Sequence, residues 1–70
     1  MTVIKITTDY ITLGQFLKYI NLASGGGDIK AILEREIVLV NDVLEQRRGR
    51  KLYPQYTVKI NGQGDYMIVR

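Results

Sequence analysis

The sequence predicts an α+β fold: two N-terminal helices packed on one face of a small, largely antiparallel β-sheet. Three observations lead there. Thr2–Ile6, "TVIKI", alternates polar and apolar residues and is rich in β-branched ones. Leu13, Phe16, Leu17 and Ile20 stand at i, i+3, i+4 and i+7, one apolar stripe of a helix. Two pairs of short apolar runs in the C-terminal half are separated by Asn-containing turn sequences.

The elements follow in chain order. "TVIKI" is a first strand. Thr12 followed three residues later by Gln15 matches a capping box, in which each side chain satisfies a backbone N–H that the helix leaves free. The first helix then runs about eight to ten residues, with Gly14 costing it up to roughly 1 kcal/mol against alanine. "ASGGGD", Ala23–Asp28, reads as a loop. A second helix extends from about Asp28 to Arg35, with Asp28 at its positive end and Ile29, Ile32 and Leu33 on its buried face. "IVLV", Asn41-Asp42 and "VLE" form one hairpin; "TVKI" and "YMIV", joined by "NGQGD", form another.

Seventy residues, nearly half of them apolar, imply one small folded domain over residues 1–70. No apolar run reaches the roughly 18–20 residues that cross a bilayer, and the N-terminus lacks the layout of a secretory signal. A soluble, cytoplasmic protein is expected, with no membrane partner. Cysteine is absent, so disulfides and thiolate metal sites are excluded. Histidine is absent too, which removes the commonest general base and metal ligand. The carboxylates Asp9, Asp28, Glu34, Glu36, Asp42, Glu45 and Asp65 are scattered and suggest no acid/base pair or metal cluster. No catalytic residue, metal ligand or cofactor is assigned, and the protein is expected to be non-enzymatic.

The informative feature is "QRRGRK", Gln46–Lys51. Arg47, Arg48, Arg50 and Lys51 are four of the ten cations, in a chain of net charge +3. They cannot all be buried, because nearby acids are too few to partner them. Arginine's planar fork pairs with phosphates and stacks on bases in ways lysine does not, and Gly49 permits close backbone approach. Tyr53 and Tyr56, just downstream, are placed to stack on an unpaired base, although tyrosines in a small sheet also serve as packing. Lys18 on the first helix, with Lys30 and Arg35 on the second, can extend the basic surface. The Gly25–Gly27 run matches neither a Walker loop nor a dinucleotide fingerprint. It is a tight turn whose Gly26 and Gly27 also allow a nucleic-acid phosphate to come close.

In this order, "TLGQFLKYINLASGGG", the "VLVN" strand and the run from Glu45 through Arg47, Arg48, Gly49, Arg50, Lys51 and Leu52 resemble the RNA-binding domain named after ribosomal protein S-four, or alpha-L motif. The match covers Ile11–Leu52 and is most similar to the small stand-alone YaaA-type bacterial members. The resemblance implies two helices against a hairpin sheet, with a basic groove between the second helix and the hairpin. It implies binding to structured RNA, ribosomal RNA or transfer RNA, and ribosome association. By resemblance Lys30 holds the second helix's basic position, and Arg47, Arg48, Arg50 and Lys51 the basic hairpin. The chain departs from the pattern in three places: Gly25-Gly26 stand where Ser/Thr-Arg is common, Asp42 where Gly is common, and "PQYT", Pro54–Thr57, replaces the usual Gly-Asp after the basic run.

The expected function is therefore a non-catalytic RNA-binding module. Its sheet would hold the arginines as one cationic surface, with Lys30, Lys18, Arg35, Gly26 and Gly27 widening the footprint. The alternative is a protein-interaction adaptor that docks an acidic partner through the same patch.

Overall fold

The first strand finds its partner at the far end of the chain. In the computed structural model, which describes every residue from Met1 to Arg70, β1 (Thr2–Lys5) runs parallel to β7 (Gly64–Val69), with Ile4 beside Ile68. The Ile6 N–H donates to the Val69 carbonyl at 2.8 Å and carries the ladder one residue past β1. Between them come β2 (Ile11–Thr12), α1 (Leu13–Tyr19), α2 (Gly26–Arg35), β3 (Val38–Val40), β4 (Val43–Leu44), β5 (Lys51–Leu52) and β6 (Thr57–Ile60). The helices thus follow two strands. The main sheet has the order β1-β7-β6-β3-β4, antiparallel except at β1–β7. A second, two-stranded ribbon pairs β2 with β5.

The α1 termini are satisfied as the sequence dictates. Thr12 Oγ1 accepts from the Gln15 N–H at 3.2 Å and Gln15 Oε1 accepts from the Thr12 N–H at 2.9 Å, a complete capping box. At the other end Asn21 adopts φ 62°, and the N–H groups of Asn21 and Leu22 donate to Lys18 and Leu17. This is a Schellman closure with asparagine in the left-handed position that glycine more often fills.

The α2 helix begins earlier than the sequence suggests. Gly25 is its N-cap, and Gly26 and Gly27 lie in its first turn rather than in a loop. Asp28 supplies the reason. Its carboxylate reaches back to accept from both the N–H and the hydroxyl of Ser24, and these bonds hold its pKa below the usual carboxylate value. They fasten the turn before the helix, while a negative charge stands at its positive end. Together these offset the conformational entropy that two glycines lose.

The hairpins form as expected. Asn41 and Asp42 have φ of 51° and 67°, the pair of positive values a two-residue β3–β4 turn demands. Asn41 Oδ1 also accepts from the Thr57 N–H at 3.0 Å, tying the turn to β6. The Asp42 carboxylate lies 3.1 Å from Lys59 Nζ, so the charge that replaces the common glycine has its own partner.

The core lies between the helices and one face of the sheet. Leu13, Phe16 and Leu17 of α1 and Ile29, Ile32 and Leu33 of α2 pack with Ile4, Val38, Val40, Val58, Ile60 and Ile68. Phe16 meets Tyr66 of β7 edge-to-face, centroids 5.2 Å apart. Replacing Thr12 with alanine should remove the α1 cap and cost about 1 kcal/mol. A urea titration should show a lower midpoint at unchanged slope; an unmoved midpoint would mean the cap carries no stability.

Candidate nucleic-acid interface

The basic run does not lie in the main sheet. It occupies the loop between β4 and β5, from Glu45 to Arg50, and other devices hold it there. The first is the N-terminus of α1, whose opening N–H groups lack partners inside the helix. The Leu13 N–H donates to the Arg50 carbonyl and the Gly14 N–H to the Arg48 carbonyl, both at 2.8 Å. Gly14 lies against the loop: a Cβ there would stand 3.4 Å from both the Arg48 carbonyl oxygen and Ile29 Cδ1, about the distance of ordinary contact. The position that reads as a helix weakness is where the basic loop meets α1.

The second device is Glu45, which is only 7% exposed. Its N–H donates to the Val38 carbonyl at 2.9 Å. Its carboxylate accepts from the backbone N–H groups of Gln46 and Arg47, from Arg47 Nε and Nη2 at 3.0 Å each, and from Arg50 Nη1 at 3.4 Å. The Arg47 hydrogen bonds are the main reason its pKa falls to about 2 from the ordinary 4.5; burial works against them and loses. The same contact raises the Arg47 pKa. A further bond from the Arg50 N–H to the Arg47 carbonyl closes the turn.

This packing distributes the cations between two clefts. Arg48 faces α2, where a Cβ on Gly26 would lie 3.6 Å from its Nη1. With Lys30, Leu33, Glu34 and Gln46 it lines a cleft of about 420 Å³. The helix start that lacks an arginine of its own is thus approached by one from the loop. Arg47, Gly49, Arg50 and Lys51 line a second cleft, about 480 Å³, with Tyr53 and Tyr56. Lys18 and Arg35 line neither cleft. Lys18 is exposed in the last turn of α1, and Arg35, at the far end of α2, lies 3.7 Å from Glu36. Gly27 is exposed in the first turn of α2, with open space beyond it.

Two residues that build the candidate site escaped the sequence reading. Glu45 counted there as one of seven scattered acids, although its place two residues before Arg47 is the spacing at which the pair closes. Tyr10 gave no local signal, yet its ring centroid lies 5.6 Å from that of Tyr53, with Lys51 Nζ 5.1 Å from it.

A family model described as S4 domain matches residues 4–69, well beyond the Ile11–Leu52 stretch. The chain belongs to the S4 domain family. This S4 domain protein is also 48% identical over 66 residues to the probable ribosome maturation protein RlbA of Bacillus subtilis (strain 168), across 94% of the present chain and 93% of that protein. No solved structure matches it. No helix of this S4 domain protein is long and apolar enough to cross a membrane.

The Glu45 clamp makes acid stability a direct readout of the loop. Because the folded pKa is depressed, its contribution is complete above about pH 4.5 and is lost as pH falls toward about 2. Thermal unfolding of the wild type should weaken across that window. Glu45→Gln should be less stable by about 1–2 kcal/mol at pH 7 and show a flatter decline below pH 4.5. Parallel acid limbs for the two proteins would remove Glu45 from the account.

Proposed function

We propose that this S4 domain protein is a non-catalytic RNA-binding protein that acts on the ribosome or during its maturation, in the cytoplasm, with residues 1–70 working as one RNA-binding unit. The observation that carries the reading is the clamped loop. It holds Arg48 beside the start of α2, one side of a cleft whose other wall carries Lys30. Cations on a fixed frame lose little entropy when they bind phosphates. Ribosomal RNA is favoured over transfer RNA because the relative is titled a ribosome maturation protein. The non-enzymatic reading rests on the absence of histidine and cysteine.

Arg47, Arg50 and Lys51 add charge on the tyrosine side of the loop. The Arg47 side chain is 73% exposed although it holds Glu45, so it can meet a phosphate with its outer edge. Lys18 and Arg35 contribute only to the surrounding field. Neutralisation of about four phosphates gives a log K against log salt slope of about −3.

Binding to ribosomal RNA fragments across a salt series tests this. Lys30→Ala combined with Arg48→Ala should reduce the slope by about 1.5 and weaken binding at least tenfold, with thermal stability little changed. Wild-type affinity in the double variant would refute the α2 cleft as the RNA contact. Cross-linking in cells separates the rival reading: the loop should be joined to RNA, and an acidic protein recovered in its place would establish the adaptor.

A further inference from the structure

The second cleft has a different chemistry. Tyr53 and Tyr56 line it, and Tyr10, outside it, continues their chain of rings, with successive centroids 5.6 Å apart. Their planes are tilted by 49° and 65°, so Tyr53 is not stacked face-to-face on either neighbour. Lys51 Nζ lies over the Tyr10 ring at 5.1 Å and Arg50 over the Tyr56 ring at 5.8 Å. No cation covers the middle ring, and Tyr53 is 39% exposed. Arg47, Arg50 and Lys51 line the cleft against the single carboxylate of Glu45, which lies buried beneath them.

We infer that this tyrosine cleft takes an unpaired base of the RNA, stacked on Tyr53, with the phosphate of the same nucleotide held by Arg50 and Lys51. The inference rests on the RNA reading above and adds a ligand class to it: RNA carrying a bulged or otherwise extruded nucleotide beside a paired segment. The chemistry narrows the occupant. A flat aromatic surface gives nothing to a free phosphate. An aromatic cage for a cation would not be lined with cations. A paired base keeps its faces inside the helix, whereas an extruded one offers a face for stacking and a phosphate for ion pairing. The cleft's volume is also on the scale of small-ligand sites, roughly 300–1,000 Å³.

The loop lends residues to both clefts, so its conformation sets their spacing. Arg48 and Lys30 meet the paired segment in one, and Tyr53 receives the displaced base in the other. The protein would thus read a local defect in a helix.

The test compares two RNAs in the same buffer: a blunt, fully paired duplex, and the same duplex with one bulged 2-aminopurine. Wild-type protein should bind the bulged RNA roughly tenfold more tightly and change the 2-aminopurine fluorescence through stacking. Tyr53→Ala should lose that preference and Tyr53→Phe keep it, since the ring and not the hydroxyl does the stacking. Lys30→Ala with Arg48→Ala should weaken both RNAs together. Equal wild-type affinity for the two RNAs, or an unaltered 2-aminopurine signal on binding, would overturn the base site while leaving the α2 cleft standing. Failure to bind either RNA at low salt would overturn both readings. The fluorescence arm uses the unmodified chain and stands even if Tyr53→Ala does not fold.

Discussion

The Glu45 carboxylate lies beneath its own loop and accepts from five donors, two of them backbone N–H groups and three on Arg47 and Arg50. A carboxylate nearly out of contact with water is costly unless its charge is met locally. Here the Arg47 hydrogen bonds outweigh desolvation and hold the Glu45 pKa below the ordinary carboxylate value. The consequence is geometric. Satisfying Glu45 orients two guanidinium groups and the chain between them, while the Leu13 and Gly14 N–H groups fix the loop from the helix side. Loop and helix therefore complete each other, the carbonyls of one capping the free donors of the other.

That arrangement changes what a cluster of cations means. Arg47 and Arg50 belong to the frame as well as to the surface, and Arg48 is the arginine turned toward α2. Four adjacent charges thus become two clefts with unlike linings, one beside a helix start and one walled by tyrosines. Asp42, which stands next to these residues in sequence order of elements, takes no part. It is paired with Lys59, whose pKa it raises.

Local patterns carried most of the fold. The capping box at Thr12, the apolar stripe of α1 and the Asn41-Asp42 turn each depend on neighbours within a few residues, so propensity and periodicity reveal them. The site was legible only as a charge run. Its support joins Gly14 to Arg48 and Tyr10 to Tyr53, contacts between distant parts of the chain that leave no local pattern. Gly14 looked like a helix defect because its bond to the loop is tertiary. The Gly25–Gly27 run read as a loop because helix propensity omits the Ser24–Asp28 bonds that fasten the start of α2. The sheet was expected to hold the arginines. Instead, a buried acid and a helix terminus hold them, and the cations are shared between two clefts.

Backbone ¹⁵N relaxation of the free protein tests the clamp most directly, because it reports loop order without any ligand. The account requires order parameters for Arg47–Arg50 near the roughly 0.85 of rigid backbone, similar to those of α1. Values below about 0.6 for these residues, with α1 still rigid, would show a floppy basic segment and contradict the claim that the fold fixes where these cations stand.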